Sequence, residues 1–164
     1  GPGQEPLPTV LREPRIVVLK SKRQLQLYAQ AHLLRTYRVG LGLNPVPPKT
    51  RAGDRATPEG RFYVCLRNPH SHFFMSLGLS YPAPAAAERG SRAGLITAAE
   101  RDRILAAHRR RRAPPWDTAL GGEIFIHGNG SSTDWTWGCV ALDVSDMREL
   151  FAVTPLGTPV RILP

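Results

Sequence analysis

The chain has 164 residues, 22 of them Lys or Arg against 13 Asp or Glu, which leaves a formal charge of +9 with histidines neutral. That length suits about one domain with a core of its own, and 41% apolar with 21% charged residues excludes a disordered chain. No apolar run approaches the roughly 18 residues of a membrane-spanning helix, and Cys65 and Cys139, 74 positions apart without a CxxC, argue against a structural zinc site.

Gly1-Pro2 resembles the remnant of a cleaved affinity tag, and residues 1–13 read as a proline-rich arm ahead of a domain over 14–164. Arg15–Lys20, Gln24–Tyr28 and His32–Val39 are rich in strand-forming residues. The second alternates polar and apolar, and the short polar links predict an antiparallel meander. Gly40–Gly60, rich in proline and glycine, predicts a long structured loop. Arg61–Arg67 and Phe73–Leu79 predict two more strands, with Cys65 as a buried or half-buried filler in the first. His70-x-His72 sets two imidazoles on one side of an extended segment without a third ligand nearby, so it reads as a solvent-facing or substrate-edge pair and no metal is implied.

Tyr81–Thr118 breaks the β rhythm. Thr97-Ala98-Ala99-Glu100 is a capping box opening one helix that runs to about Arg112 before Pro114-Pro115, with His108 on its surface. Glu123–His127 predicts a strand, Ser145–Val153 a helix capped by Ser145, and Thr158–Leu163 a closing strand. The sum is a mostly β domain with a helical insertion over 81–118 and one late helix.

Chemistry concentrates between Ile124 and Leu142. His127 ends an apolar strand, and Cys139 follows Gly138 twelve residues later. A thiol of ordinary pKa near 8.5 becomes a nucleophile at neutral pH when an imidazole takes its proton. Glycines at 128 and 138 allow close backbone approach, and amides around Gly138-Cys139 suit an oxyanion. Taken alone, such a pair is more often a structural histidine with a buried cysteine than a catalytic one.

His127-Gly128 and Thr136-Trp137-Gly138-Cys139 resemble the signature of the YkuD family of L,D-transpeptidases. Thr57-Pro58-Glu59-Gly60, Ser80-Tyr81-Pro82 and Gly157-Thr158-Pro159-Val160-Arg161-Ile162 match the family in the same order. The resemblance runs from about Arg15 to Leu163 and implies a β-sandwich or mixed barrel with the insertion as a cap beside the site. It implies Cys139 as nucleophile, His127 as general base and the Gly128 carbonyl as the group orienting the imidazole. Gly138 and Cys139 amides, with Trp137, would form the oxyanion hole, and Tyr81, Trp135, Thr136 and Trp137 would touch substrate. The family's His before Gly-Cys is here Trp137, the Arg two after the cysteine is Ala141, and the Asn near the last helix is Val144. The implied partners are peptidoglycan stem peptides as donor and acceptor, without cofactor or nucleic acid, in the cell envelope. A membrane would be met only through an anchor ahead of Gly1.

Arg109–Arg112, with Arg101 and Arg103, carries much of the positive charge. It is open to three readings: nucleic-acid binding without a supporting motif, a solvated helix end complementing the macrodipole, or attraction to the carboxylates of peptidoglycan stems.

Overall fold

Strands β1 (Pro14–Leu19) and β2 (Gln24–Ala29) turn every second side chain inward, so Ile16, Val18, Leu25 and Leu27 are buried. With β3 (His32–Arg38) they form the expected meander, β1 pairing β2 and β2 pairing β3, both antiparallel. The structure, a computed structural model, describes residues 4–71 and 74–164. Gly1-Pro2, His72 and Phe73, singled out above, lie outside the described residues.

The long β4 (Gly60–Ser71) pairs antiparallel with β5 (Phe74–Leu79), and its ladder shifts register between Val64 and Leu66 and again between Asn68 and Ser71. Bulges of this kind bend a strand and increase its twist. β6 (Phe125–His127) continues beside β5, and β7 (Val140–Ala141) runs parallel to β6. The final β8 (Pro159–Leu163) inserts between β1, parallel, and β4, antiparallel. The strand order is β3-β2-β1-β8-β4-β5-β6-β7.

The two ends of this sheet nearly meet. Gly40 N–H donates to Ala141 O and Ala141 N–H to Gly40 O, each at 2.9 Å, and Thr136 N–H donates to Leu41 O at 3.1 Å. Glycine is needed at the crossing: a Cβ on Gly40 would lie 2.1 Å from Thr133 O, and one on Gly42 would lie 2.2 Å from Arg55 O. The curled, mostly β architecture agrees with the expected mixed barrel.

Helix α3 (Val144–Val153) packs Met147, Leu150, Phe151 and Val153 into the core with β5. Its N-cap is Asp143, not Ser145, which lies inside the first turn; the Asp143 carboxylate accepts instead from Ser131 N and Oγ at 3.0 and 2.8 Å. The insertion contains two helices where one was expected. α1 (Pro84–Arg92) starts on Ala83 without a side-chain cap, so it lacks the polar signature that marks α2 (Ala98–Arg109), whose Thr97–Glu100 capping box is formed. Both helices share a small core of Ala87, Ile96, Ile104 and Leu120, apart from the main one. His108, expected at the surface, is half-buried; its Nε2 lies 2.8 Å from Pro82 O and its ring meets Tyr63 edge-on at 5.5 Å. Burial lowers its pKa, with the Pro82 contact opposing. The N-terminal arm is docked, with Leu11 buried in the main core and Leu7 packed against it.

Candidate active site

Parallel pairing sets Ile126 beside Val140 and His127 beside Ala141, so His127 at the end of β6 and Cys139 just before β7 face one cleft of about 710 Å³. The ladder continues as Leu142 N–H donates to His127 O at 2.8 Å, which fixes the histidine backbone. His127 is 2% exposed. Its Nδ1 lies 2.7 Å from Gly128 O. A carbonyl only accepts, so Nδ1 carries the proton of the neutral ring and Nε2 the lone pair. Burial lowers the His127 pKa below the ordinary 6.5, and the bond to Gly128 opposes that shift.

Cys139 Sγ receives Phe125 N–H at 3.4 Å and faces Glu123 O at 3.5 Å. Burial pushes its pKa up to about 11, while Phe125 N–H and the charge of Lys49 pull it down and Glu123 raises it. Thiol and imidazole are therefore both neutral at neutral pH. Cys65 lies elsewhere, half-buried in β4, its thiol also raised to about 11 by burial. It does not line the cleft.

The turn carrying Cys139 is held by one hydroxyl. Thr136 Oγ1 donates to Cys139 O at 2.7 Å and accepts from Gly138 N at 3.1 Å. Thr136, expected to touch substrate, lines the cleft with its hydroxyl engaged in this turn. The Gly138 amide, expected to face an oxyanion, is directed to that hydroxyl. Gly138 has φ of +130°, and a Cβ there would lie 2.7 Å from Ala56 O. Asp134 supports the loop from behind: Arg23 Nε and Nη2 reach its two oxygens at 3.0 and 2.8 Å, and Leu41 N–H donates to Oδ1 at 3.0 Å.

Trp135 and Trp137 both line the cleft. Trp135 meets the His127 ring edge-on at 5.5 Å and donates Nε1–H to Gly130 O at 3.0 Å. Trp137 is 72% exposed, with the Arg55 guanidinium 4.7 Å above its ring. Tyr81 is elsewhere, 2% exposed in the core with its hydroxyl donating to Leu120 O at 2.7 Å. The Ser80-Tyr81-Pro82 motif thus ties β4, the insertion and α2 together, Ser80 Oγ accepting from Tyr63 N at 2.9 Å. Thr57 acts likewise: its Oγ1 accepts Gly42 N–H at 3.0 Å and its carbonyl accepts Lys20 Nζ at 2.8 Å.

Sequence reasoning passed over Lys49, Arg55, Trp116, Glu123 and Phe125, all of which line the cleft. Lys49 is buried, its ammonium donating to Asp54 Oδ1 at 2.9 Å and Arg51 O at 3.0 Å. Trp116 meets Phe125 edge-on at 5.5 Å, and Gly122 makes room for it, since a Cβ there would sit 2.4 Å from the Trp116 Cβ. Gly121-Gly122 directly before a strand was the available signal. No residue of α1 or α2 lines the cleft; the insertion reaches it through Trp116. Among the described residues no three His, Cys, Asp or Glu group as a metal site, and no helix is long and apolar enough to cross a membrane.

A strand-end histidine and a turn-borne cysteine thus face one cleft of a curled sheet. The family model for the YkuD L,D-transpeptidase catalytic domain matches residues 13–162, and the chain belongs to that family. No curated protein matches the sequence. Solved structures agree on the fold. An L,D-transpeptidase from Mycobacterium smegmatis is 11% identical, with a TM-score of 0.56 over 93% of this chain and 59% of that one. The helical cell shape determining protein Pgp2 from Campylobacter jejuni is 16% identical, with 0.61 over 91% and 46%. LdtMt1, an L,D-transpeptidase solved in complex with imipenem, is 14% identical, with 0.52 over 92% and 62%. The chain thus spans between about half and two thirds of the length of these relatives.

Proposed function

We propose that the chain is the catalytic domain of a peptidoglycan L,D-transpeptidase in which Cys139 is the nucleophile and His127 the general base. The observation that carries this reading is the shared cleft of Cys139 and His127 with the Gly128 carbonyl fixing the ring tautomer at 2.7 Å. His127 Nε2 takes the thiol proton as Sγ attacks the carbonyl of an L-residue joined to a D-residue in a stem peptide, commonly diaminopimelate followed by D-Ala. The oxyanion is met by the main-chain N–H of Cys139 with that of Trp137 beside it, while Thr136 Oγ1 holds the Gly138 N–H. The imidazolium returns the proton to the departing amine of the D-residue, leaving a thioester on Cys139. An amine of a second stem then attacks the thioester, His127 accepts its proton, and a cross-link forms as the thiol is released.

Trp116, Trp135 and Trp137 wall the cleft, and Arg55 at its mouth offers a guanidinium to the stem carboxylates. The domain would work in the cell envelope, where the polymer lies. Incubation with disaccharide-tetrapeptides and mass measurement of the products tests the reading: dimers support transfer, shortened monomers assign an L,D-carboxypeptidase, and unchanged substrate assigns an inactive binding module. Imipenem should form an adduct that maps to Cys139 and is lost in Cys139→Ala. An adduct persisting in that variant would move the nucleophile to Cys65.

A further inference from the structure

The outer face of the sheet holds a second recess, of about 470 Å³, lined by Arg15, Arg61, Arg111 and Arg161 over a floor that includes Val17 and Leu163. It shares no lining residue with the catalytic cleft. Three of these arginines come from adjacent strands, Arg15 on β1, Arg161 on β8 and Arg61 on β4, and Arg111 arrives from the end of α2. Arg61 and Arg161 are direct partners in the β4–β8 register. Like charges in that position, with Cβ atoms roughly 5 Å apart, destabilise a sheet.

Two of the guanidiniums are propped by rings at the margin of the recess. Arg15 stacks 4.0 Å over Tyr28, its register partner on β2, and Arg111 stacks 4.2 Å over Tyr63 while reaching Gly157 O at 3.3 Å. Among the described residues no carboxylate forms an ion pair with any of the four. Glu59, close to Arg61 in sequence, is taken by Lys20. Four positive charges held together without a counter-charge, one pair of them at a cost to the sheet, are an anion-binding arrangement that folding does not require.

We propose that this recess is a docking site for the carboxylates of peptidoglycan stems, separate from the stem being processed, and that it holds the domain on its polymer. The inference rests on the proposed function. Three neighbouring strands span roughly 10 Å at the usual strand spacing, enough for two carboxylates of one peptide. The aliphatic floor suits the methyl and methylene groups between them. Among the described residues the one aromatic ring lining the recess, Phe62, is 5% exposed, and the Tyr28 and Tyr63 rings at its margin are covered by Arg15 and Arg111, which leaves no open ring face for a nucleic-acid base. This places the working charge differently from the Arg109–Arg112 run taken as a block: of those four only Arg111 reaches the recess.

The test compares the full chain with Arg61→Gln/Arg161→Gln in co-sedimentation with purified sacculi at low salt, both in a Cys139→Ala background so that nothing turns over. The double variant should bind about ten-fold more weakly, as expected for loss of two charge-assisted contacts. With Cys139 present, it should process soluble disaccharide-tetrapeptide at the rate of the native chain. Its Tm should stay level or rise, because a like-charge pair is gone; a lower Tm together with unchanged sacculus binding would assign the arginines to the fold and overturn the proposal. Arg109→Gln/Arg110→Gln removes the same charge outside the recess, and an equal loss of binding there would also overturn it. On sacculi whose carboxyls are capped as amides, the native chain should lose its advantage; an advantage retained on capped sacculi, or one shown only toward duplex DNA or anionic vesicles, assigns the recess to another polyanion. A native chain inactive on soluble stems but still bound to sacculi through Arg61 and Arg161 would reject the reaction and support the recess.

Discussion

Thr136→Val removes a single oxygen from the turn that presents Cys139 and leaves the side-chain shape nearly unchanged. Thr136 is 3% exposed, and its hydroxyl serves two main-chain groups, the carbonyl of Cys139 at 2.7 Å and the amide of Gly138 at 3.1 Å. Valine opens no cavity, so the loss comes from stranding a carbonyl and an amide where water enters poorly. At about 1–2 kcal/mol for each stranded group the domain should lose about 2–4 kcal/mol. That corresponds to roughly 5–15 °C in Tm for a chain of this length. Sγ depends on the same turn for its aim, and displacement by a fraction of an ångström toward 1 Å should slow imipenem acylation about ten-fold or more. Thr136→Ser keeps the oxygen and should recover most of both quantities. Thermal denaturation and adduct formation followed by mass spectrometry measure the two effects. A valine variant with native Tm and native acylation would refute the clamp and return Thr136 to the role of a substrate contact.

The pH dependence of acylation follows from the two neutral partners. His127, with its pKa below 6.5, is unprotonated and able to act as base through neutral pH, so the rate should hold there and fall only as acid protonates the ring. Ultraviolet thiolate absorbance should be absent at neutral pH and rise toward about 11; a thiolate signal at neutral pH would mean a resting ion pair instead. Gly42→Ala places a Cβ 2.2 Å from Arg55 O and 3.0 Å from Gly138 N, so it should cost about 1–3 kcal/mol by overpacking and slow acylation as well. Urea denaturation that leaves its midpoint unchanged would count against so close a crossing.

The candidate site was legible where it depends on residue type in a short segment. His127 and Cys139 lie within 13 residues, and the pairing of β6 with β7 brings them to one cleft. Matches judged only by their place in a motif fared differently: Tyr81 proved to be a core residue hydrogen-bonded to Leu120, and Thr136 a clamp on its own turn. Both are polar side chains whose value is set by a partner, and for Tyr81 that partner is 39 residues away.

Strand-forming composition determined β1 and period-two alternation determined β2, because burying one face of a strand writes itself into consecutive residues. The Thr97–Glu100 box likewise determined the start of α2, since both of its hydrogen bonds close within four residues. Tertiary structure alone decided what depends on separated segments. It created β7, two residues long and without a periodicity of its own, by pairing with β6. It brought Lys49, Arg55 and Trp116 around Cys139. The charge of +9 was plain in the composition, but its grouping was not: Arg15, Arg61, Arg111 and Arg161 share one recess because β8 inserts between β1 and β4, a long-range pairing that no local pattern encodes.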